Sequence, residues 1–133
     1  MMDWIFDTNI KLDDYYGFVY LITNMTNGRL YIGKKTMWFS RMVVQKGKSR
    51  RKKIVKESDW RTYYGSSDEL KEDVARLGTD KFKREILHFH KTKGALSYAE
   101  AMEQIQRDVL NDKDLFGQYT YYNKMINLKA YRR

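Results

Sequence analysis

The chain has 133 residues, enough for one domain with a single core and too few for two. A net charge of +9 on a chain with 42% apolar residues describes a folded, basic domain that attracts polyanions, and the lack of a long apolar or basic amphipathic segment favours nucleic acid over a membrane. Zero cysteines exclude disulfides and thiolate metal sites, and an opening stretch without a basic n-region fits a cytoplasmic protein.

Residues 1–16 mix Trp4, Ile5 and Phe6 with Asp7, Asp13 and Asp14 and follow neither helical nor strand period. They predict an arm that docks its aromatics on a domain spanning 17–133. Gly17 to Lys35 reads as a β-hairpin: Phe18, Tyr20 and Ile22 alternate with Val19, Leu21 and Thr23, Asn27-Gly28 marks the turn, and Leu30 to Ile32 returns. The period-two rule puts Tyr20 and Ile22 on one face and points Tyr31 opposite to Leu30 and Ile32. Gly17 and Gly33 bracket the pair and suggest close backbone approach at each end.

Lys34 to Val44 carries Lys34, Lys35, Trp38, Phe39, Arg41 and Met42, a mixture suited to a short helix or loop. A basic insertion at about 46–56 follows, with Lys46, Lys48, Arg50, Arg51, Lys52, Lys53 and Lys56. Such a run of like charges forms no core. It predicts a solvated loop that also lies along a phosphate backbone, with Lys35 beside it as a further nucleic-acid contact.

Ser66 and Glu69 form a capping box for a helix whose apolar stripe is Leu70, Val74 and Leu77 and whose stop is Gly78. Phe82 to Phe89 alternates as a third strand, pairing with the hairpin. Ser97 and Glu100 form a second capping box, with Tyr98, Met102, Ile105 and Val109 as the buried seam and Asn111 and Asp112 as the end. The order β, β, α, β, α implies an α+β fold in which helices flank a small three-stranded antiparallel β-sheet. His88 and His90, two apart on the third strand and without a cysteine or third histidine, read as strand-end surface residues.

Phe18-Val19-Tyr20, Ile22-Thr23-Asn24, Asn27-Gly28 and Tyr31-Ile32-Gly33, with the two tyrosines eleven residues apart, resemble the GIY-YIG nuclease family over about residues 17–123. Length and the basic insertion are similar to the small freestanding phage endonucleases of Seg type, related to homing endonucleases. The first triplet departs from the family: Phe18-Val19 stands for Gly-Ile, and the glycine moves to Gly17.

The resemblance implies a metal-dependent endonuclease that hydrolyses phosphodiesters in DNA rather than RNA, with one Mg²⁺ or Mn²⁺ per site. Tyr20 and Tyr31 lie beside the scissile phosphate, and Tyr31 is the general base, its phenolate stabilised by Lys34 because a phenol of pKa about 10 is otherwise a poor base. Arg41, ten residues after Tyr31, offsets charge on the phosphate. Where the family has a histidine or tyrosine, Gln45 stands, and Tyr63 or Tyr64 is the expected substitute. The metal ligand is Glu103, chosen because Glu100 already serves the Ser97 capping box, and Asn123 is the family's late asparagine. With no second domain to read sequence, specificity is expected to be low, or to come from homodimerisation or a partner. The alternative is a non-cleaving nucleic-acid-binding protein on the same scaffold.

Overall fold

The computed structural model describes residues 3–47 and 50–128. Strands β1 (Gly17–Asn24), β2 (Leu30–Thr36) and β5 (Phe82–His90) form an antiparallel sheet in the order β2-β1-β5. Strands β3 (Trp38–Val44) and β4 (Arg51–Glu57) form a separate two-stranded ribbon. Helix α1 (Asp68–Leu77) precedes β5 and helix α2 (Lys93–Gln106) follows it. The α+β architecture with a three-stranded antiparallel sheet is the one expected from sequence.

The turn between β1 and β2 is built by Asn24. Its side-chain oxygen accepts from the Thr26 N–H at 3.0 Å and the Thr26 hydroxyl at 2.7 Å, and Gly28 takes the positive φ of 79° that closes the turn. Period-two alternation then sorts the core. Phe18, Tyr20 and Ile22 pack on one face with Trp4, Trp60, Leu70 and Tyr122, and Val19 and Ile32 pack on the other with Leu96 and Val109. Gly17 is required by close approach, since a Cβ there would meet the Lys35 carbonyl and, at 2.7 Å, the Leu96 side chain.

Both sheet edges are covered. The Ile5 N–H donates to the Arg84 carbonyl at 2.8 Å and the Ile5 carbonyl accepts from Ile86 at 2.9 Å, while Trp4 is buried and donates its indole N–H to the Trp60 carbonyl at 2.8 Å. On the β2 side, Leu30 donates to Thr120 at 2.9 Å and accepts from Tyr122 at 2.7 Å.

Several local expectations are corrected. Residues 38–44 and 51–57 are strands rather than a helix and a loop, because Val43, Val44, Ile54 and Val55 are β-branched and the two segments pair residue for residue from Trp38↔Glu57 to Val44↔Arg51. The cap of α1 is Ser67, whose hydroxyl accepts from the Leu70 N–H, rather than Ser66. Helix α2 begins at Lys93, four residues before Ser97, capped by Thr92 through a 3.1 Å bond from the Ala95 N–H, and ends at Gln106. Its buried face is therefore Leu96, Ala101 and Gln104, and of the predicted seam only Val109 is buried, whereas Tyr98, Met102 and Ile105 face outward.

Candidate active site

The cleft that gathers the chemistry lies at the outer edge of β2, where the two core faces meet. It has a volume of about 460 Å³, and its walls include Tyr31 from β2, Ser66 and Ser67 from the segment before α1, Glu100 and Gln104 from α2, and Asn123 from the tail.

Tyr31 is held from three sides. Its hydroxyl shares a 2.8 Å hydrogen bond with the Ser66 hydroxyl. Its ring lies between two glycines: a Cβ on Gly33 would come within 2.9 Å of it and one on Gly65 within 3.3 Å, and Gly65 also adopts a φ of 92°. The segment carrying Gly65 and Ser66 is fixed from beneath by Arg84, fully buried on β5. Its guanidinium donates to the carbonyls of Arg61 at 3.1 Å and Tyr63 at 2.9 Å and stacks on Trp4 and Tyr64.

Tyr20 stands directly across from Gly33 in the β1–β2 pairing, and its hydroxyl occupies the space a Gly33 side chain would need. Burial, reinforced by Tyr31 and a hydrogen bond with Tyr63, holds its phenol well above the usual range. Of the two candidates to replace the family aromatic at Gln45, Tyr63 is the one that reaches Tyr20, edge to face at 6.0 Å. Tyr64 lies against Arg84 instead.

Lys34 donates to the Ser97 hydroxyl at 2.7 Å, and its charge and backbone N–H act on Glu100. Burial raises the Tyr31 phenol, Ser66 pulls it down, and the negative charge of Glu100 raises it further. Glu100 is itself raised, by burial first and against the opposing charge and N–H of Lys34. Glu100 lines the same cleft as Tyr31, and its charge acts on both tyrosines.

The reason for choosing Glu103 over Glu100 does not survive the geometry. With the cap at Thr92, Glu100 has no capping duty and turns toward the cleft, while Glu103 accepts from the Arg107 guanidinium at 2.9 Å and lies 3.8 Å from His88. His88 also shares a 2.6 Å bond with His90. Among the described residues no group of three or more histidine, cysteine and acidic side chains could hold a metal ion. Three carboxylates line the cleft: Asp68 is exposed, Glu69 is engaged by Arg29 at 2.7 Å and Lys124 at 3.5 Å, and Glu100 is half-buried with the Gln104 amide one helical turn on. That donor set suits a hard cation that keeps most of its water and takes phosphate oxygens, rather than zinc.

Arg41 is not in the cleft. It lies exposed on β3, paired with Ile54, in a separate groove of about 300 Å³ with Phe39 and Lys56. Asn123 bonds both backbone groups of Ile32, accepting from the N–H at 3.1 Å and donating to the carbonyl at 2.8 Å, so it satisfies the edge of β2 while lining the cleft. Lys35 is held by Asp59 at 2.6 Å and lies 4.1 Å over the Tyr63 ring, which removes it from the exposed basic set. Lys46 and Arg50 lie exposed at the ribbon's turn, Arg51, Lys52, Lys53 and Lys56 are exposed on β4, and Lys48 lies outside the described residues.

Ser66, Gln104 and Tyr122 were not singled out for the site from sequence. Tyr122 donates to Asp73 at 2.6 Å and accepts from Asn24 at 2.9 Å, tying α1, the hairpin turn and the tail together beneath the cleft. Only Ser66 had a signal, in the Tyr-Tyr-Gly-Ser-Ser run, and there the capping reading masked it.

A family model described as "Putative endonuclease segE, GIY-YIG domain" matches residues 4–126. No curated protein and no solved structure matches the chain. Because the family match takes in nearly the whole chain, including Tyr31, Ser66 and Glu100, the chain belongs to the segE-type GIY-YIG endonuclease domain family.

Proposed function

We infer that the chain is a divalent-metal-dependent endonuclease acting on DNA, with Glu100 as the metal-holding carboxylate and Tyr31 as the proton acceptor. The observation that carries this is the convergence of Tyr31, Ser66 and Glu100 on one cleft, in a chain of +9 charge. Glu100 would hold a Mg²⁺ or Mn²⁺ ion, which would supply Lewis-acid charge to the phosphate.

The protein's own groups do the rest. Ser66 fixes the Tyr31 hydroxyl, Tyr31 orients the attacking water and receives its proton, and Lys34 sets a positive charge next to Glu100. Since burial holds Tyr31 above its ordinary value, only a small phenolate fraction exists at neutral pH and the reaction accelerates toward alkaline pH. One observation favours the non-cleaving alternative: Arg41, the expected phosphate clamp, lies outside the cleft.

A supercoiled-plasmid nicking assay with Mg²⁺ or Mn²⁺ against chelator separates the two. Wild-type nicking that Glu100→Gln and Tyr31→Phe each abolish supports the nuclease. A wild-type chain that binds DNA and leaves the plasmid intact with either metal supports the binding protein.

A further inference from the structure

The β3–β4 ribbon has no work in the cleft and no core of its own. Every residue of β4 is exposed, as are Phe39 to Met42 and Val44 of β3. A two-stranded ribbon standing alone is marginal in water, and this one leaves Met42 54%, Val44 69% and Val55 56% exposed. Residues paired across an antiparallel ladder share a face, so each face sets cations among apolar groups. Arg41 lies by Ile54 and Lys52 by Val43 on one face; Lys53 lies by Met42 and Arg51 by Val44 on the other. The strands hold five cations against one anion, Glu57, which is already engaged by Arg61 at 2.7 Å and Trp60 at 2.9 Å. None of the five cations forms a salt bridge with a described residue.

The base of the ribbon is rigid where the rest is bare. Met37 is fully buried, its N–H donates to Tyr16 at 2.9 Å and its carbonyl accepts from Ser58 at 2.8 Å, and the Trp38 indole donates to Tyr15 at 3.0 Å. Met37 alone separates β3 from β2, the strand that carries Tyr31 and Lys34. The ribbon is therefore an arm of about 20 Å, anchored at its base and continuous with the strand that carries Tyr31.

We propose that this ribbon seats in the major groove of duplex DNA and docks the cleft on the adjoining backbone. The inference rests on the nuclease reading for its substrate. The groove, about 12 Å wide and 8.5 Å deep, admits a two-stranded ribbon, and its contents match both kinds of exposed side chain: thymine methyls and guanine edges on the floor for Met42, Val44 and Arg51, which share one face, and phosphates along the rims for the long side chains of Arg41 and Lys52 on the other. An A-form RNA duplex, whose major groove is deep and narrow, does not accept it.

The test measures binding by the full-length Glu100→Gln protein without divalent metal, so that cleavage cannot consume the probe. Three probes are compared: a plain duplex, the same duplex with bulky C5 substituents on its pyrimidines, which fill the major groove, and a duplex whose minor groove is saturated by a polyamide. The expected result is an affinity loss of about tenfold or more on the C5-substituted duplex and none from the polyamide. The loss should shrink when Met42→Ser and Val44→Ser remove the apolar contacts. Equal affinity for plain and C5-substituted duplex, displacement by the polyamide, or no duplex binding overturns the proposal. If the groove signature appears and wild-type protein does not nick, the nuclease reading fails and the ribbon assignment stands. If wild type nicks and C5 groups change nothing, the ribbon assignment fails alone.

Discussion

Lys34 and Ser97 are joined by a 2.7 Å hydrogen bond that ties β2 to the first turns of α2, three residues before Glu100. The bond holds a cation next to a carboxylate that burial has already made reluctant to ionise. A raised carboxyl contributes stability that is complete below its unfolded value and lost as pH rises through its folded value. In metal-free buffer Glu100→Gln should therefore raise the melting temperature at pH 7.5 and leave it unchanged near pH 4. Mg²⁺ should stabilise wild type and not the variant. Cleavage by Glu100→Gln should fall more than about 100-fold, since even outer partners of a metal ligand are typically worth 10- to 100-fold, while Glu103→Gln keeps activity. Melts and nicking rates on the same two proteins check both halves, and an inactive Glu103→Gln would return the ligand to that position.

Tyr31→Phe keeps the ring between Gly33 and Gly65 and removes only the hydroxyl bonded to Ser66. The rate should drop by about 10² to 10⁴. Stability should change by about 1 kcal/mol at most. The wild-type rate should climb about tenfold per pH unit from pH 6 to 9, and the residual rate of the variant should be flat. A variant with the same pH slope as wild type would exclude Tyr31 as the proton acceptor.

Tyr122 links Asp73 to Asn24, and both Tyr122 and Asp73 titrate. The bond from Tyr122 first, then those from Arg76, hold the Asp73 carboxyl below its usual range, while burial pushes the Tyr122 phenol up to about 12. The Asp73 share of stability is present above the ordinary carboxylate value and lost as pH falls through its depressed folded value. The Tyr122 share is present below about 10 and lost as pH rises through about 12. Tyr122→Phe should thus cost about 1–3 kcal/mol at pH 7 and less in acid, where protonation of Asp73 removes part of the same contribution from wild type. Urea unfolding of both proteins at pH 7 and pH 3 measures the difference.

Gly33→Ala should destabilise by about 1–3 kcal/mol, because its methyl enters space held by the Tyr20 hydroxyl and ring. Tyr20→Phe removes the hydroxyl, so the double variant should recover part of the loss. Additive losses in a double-mutant cycle would show that the two residues do not compete for that space.

The sheet was legible because its signals are local: the Asn-Gly turn, strand alternation and the spacing of Tyr20 and Tyr31 each constrain one hairpin. The ribbon was not. Its run of like charges suggested repulsion and outweighed the strand preference of Val43, Val44, Ile54 and Val55, which only the pairing across the ribbon brings together. Glu100 was misplaced for a different reason. Ser97 with Glu100 matches the capping box, whereas the actual cap, Thr92, has Ala95 three residues on and does not. Taking Ser97 as the cap gave Glu100 a capping duty and exchanged the glutamate facing the cleft for the one facing Arg107. Arg84 carried no legible sign of its burial, because a strand arginine gives no hint that two carbonyls and two aromatic rings await it.

The covered edges of the sheet bear on how the protein associates with itself. With Ile5 laid along β5 and residues 120–123 along β2, both rims of the sheet are occupied where those segments lie and offer a foreign strand little template. The ribbon has two open rims, and on β4 Lys52, Lys53 and Lys56 sit along one of them, where like charge repels a second copy. Cationic side chains that attract a polyanion are thus the same ones that discourage strand-to-strand stacking, so neutralising them for biochemical convenience would trade lower affinity for a chain prone to aggregate.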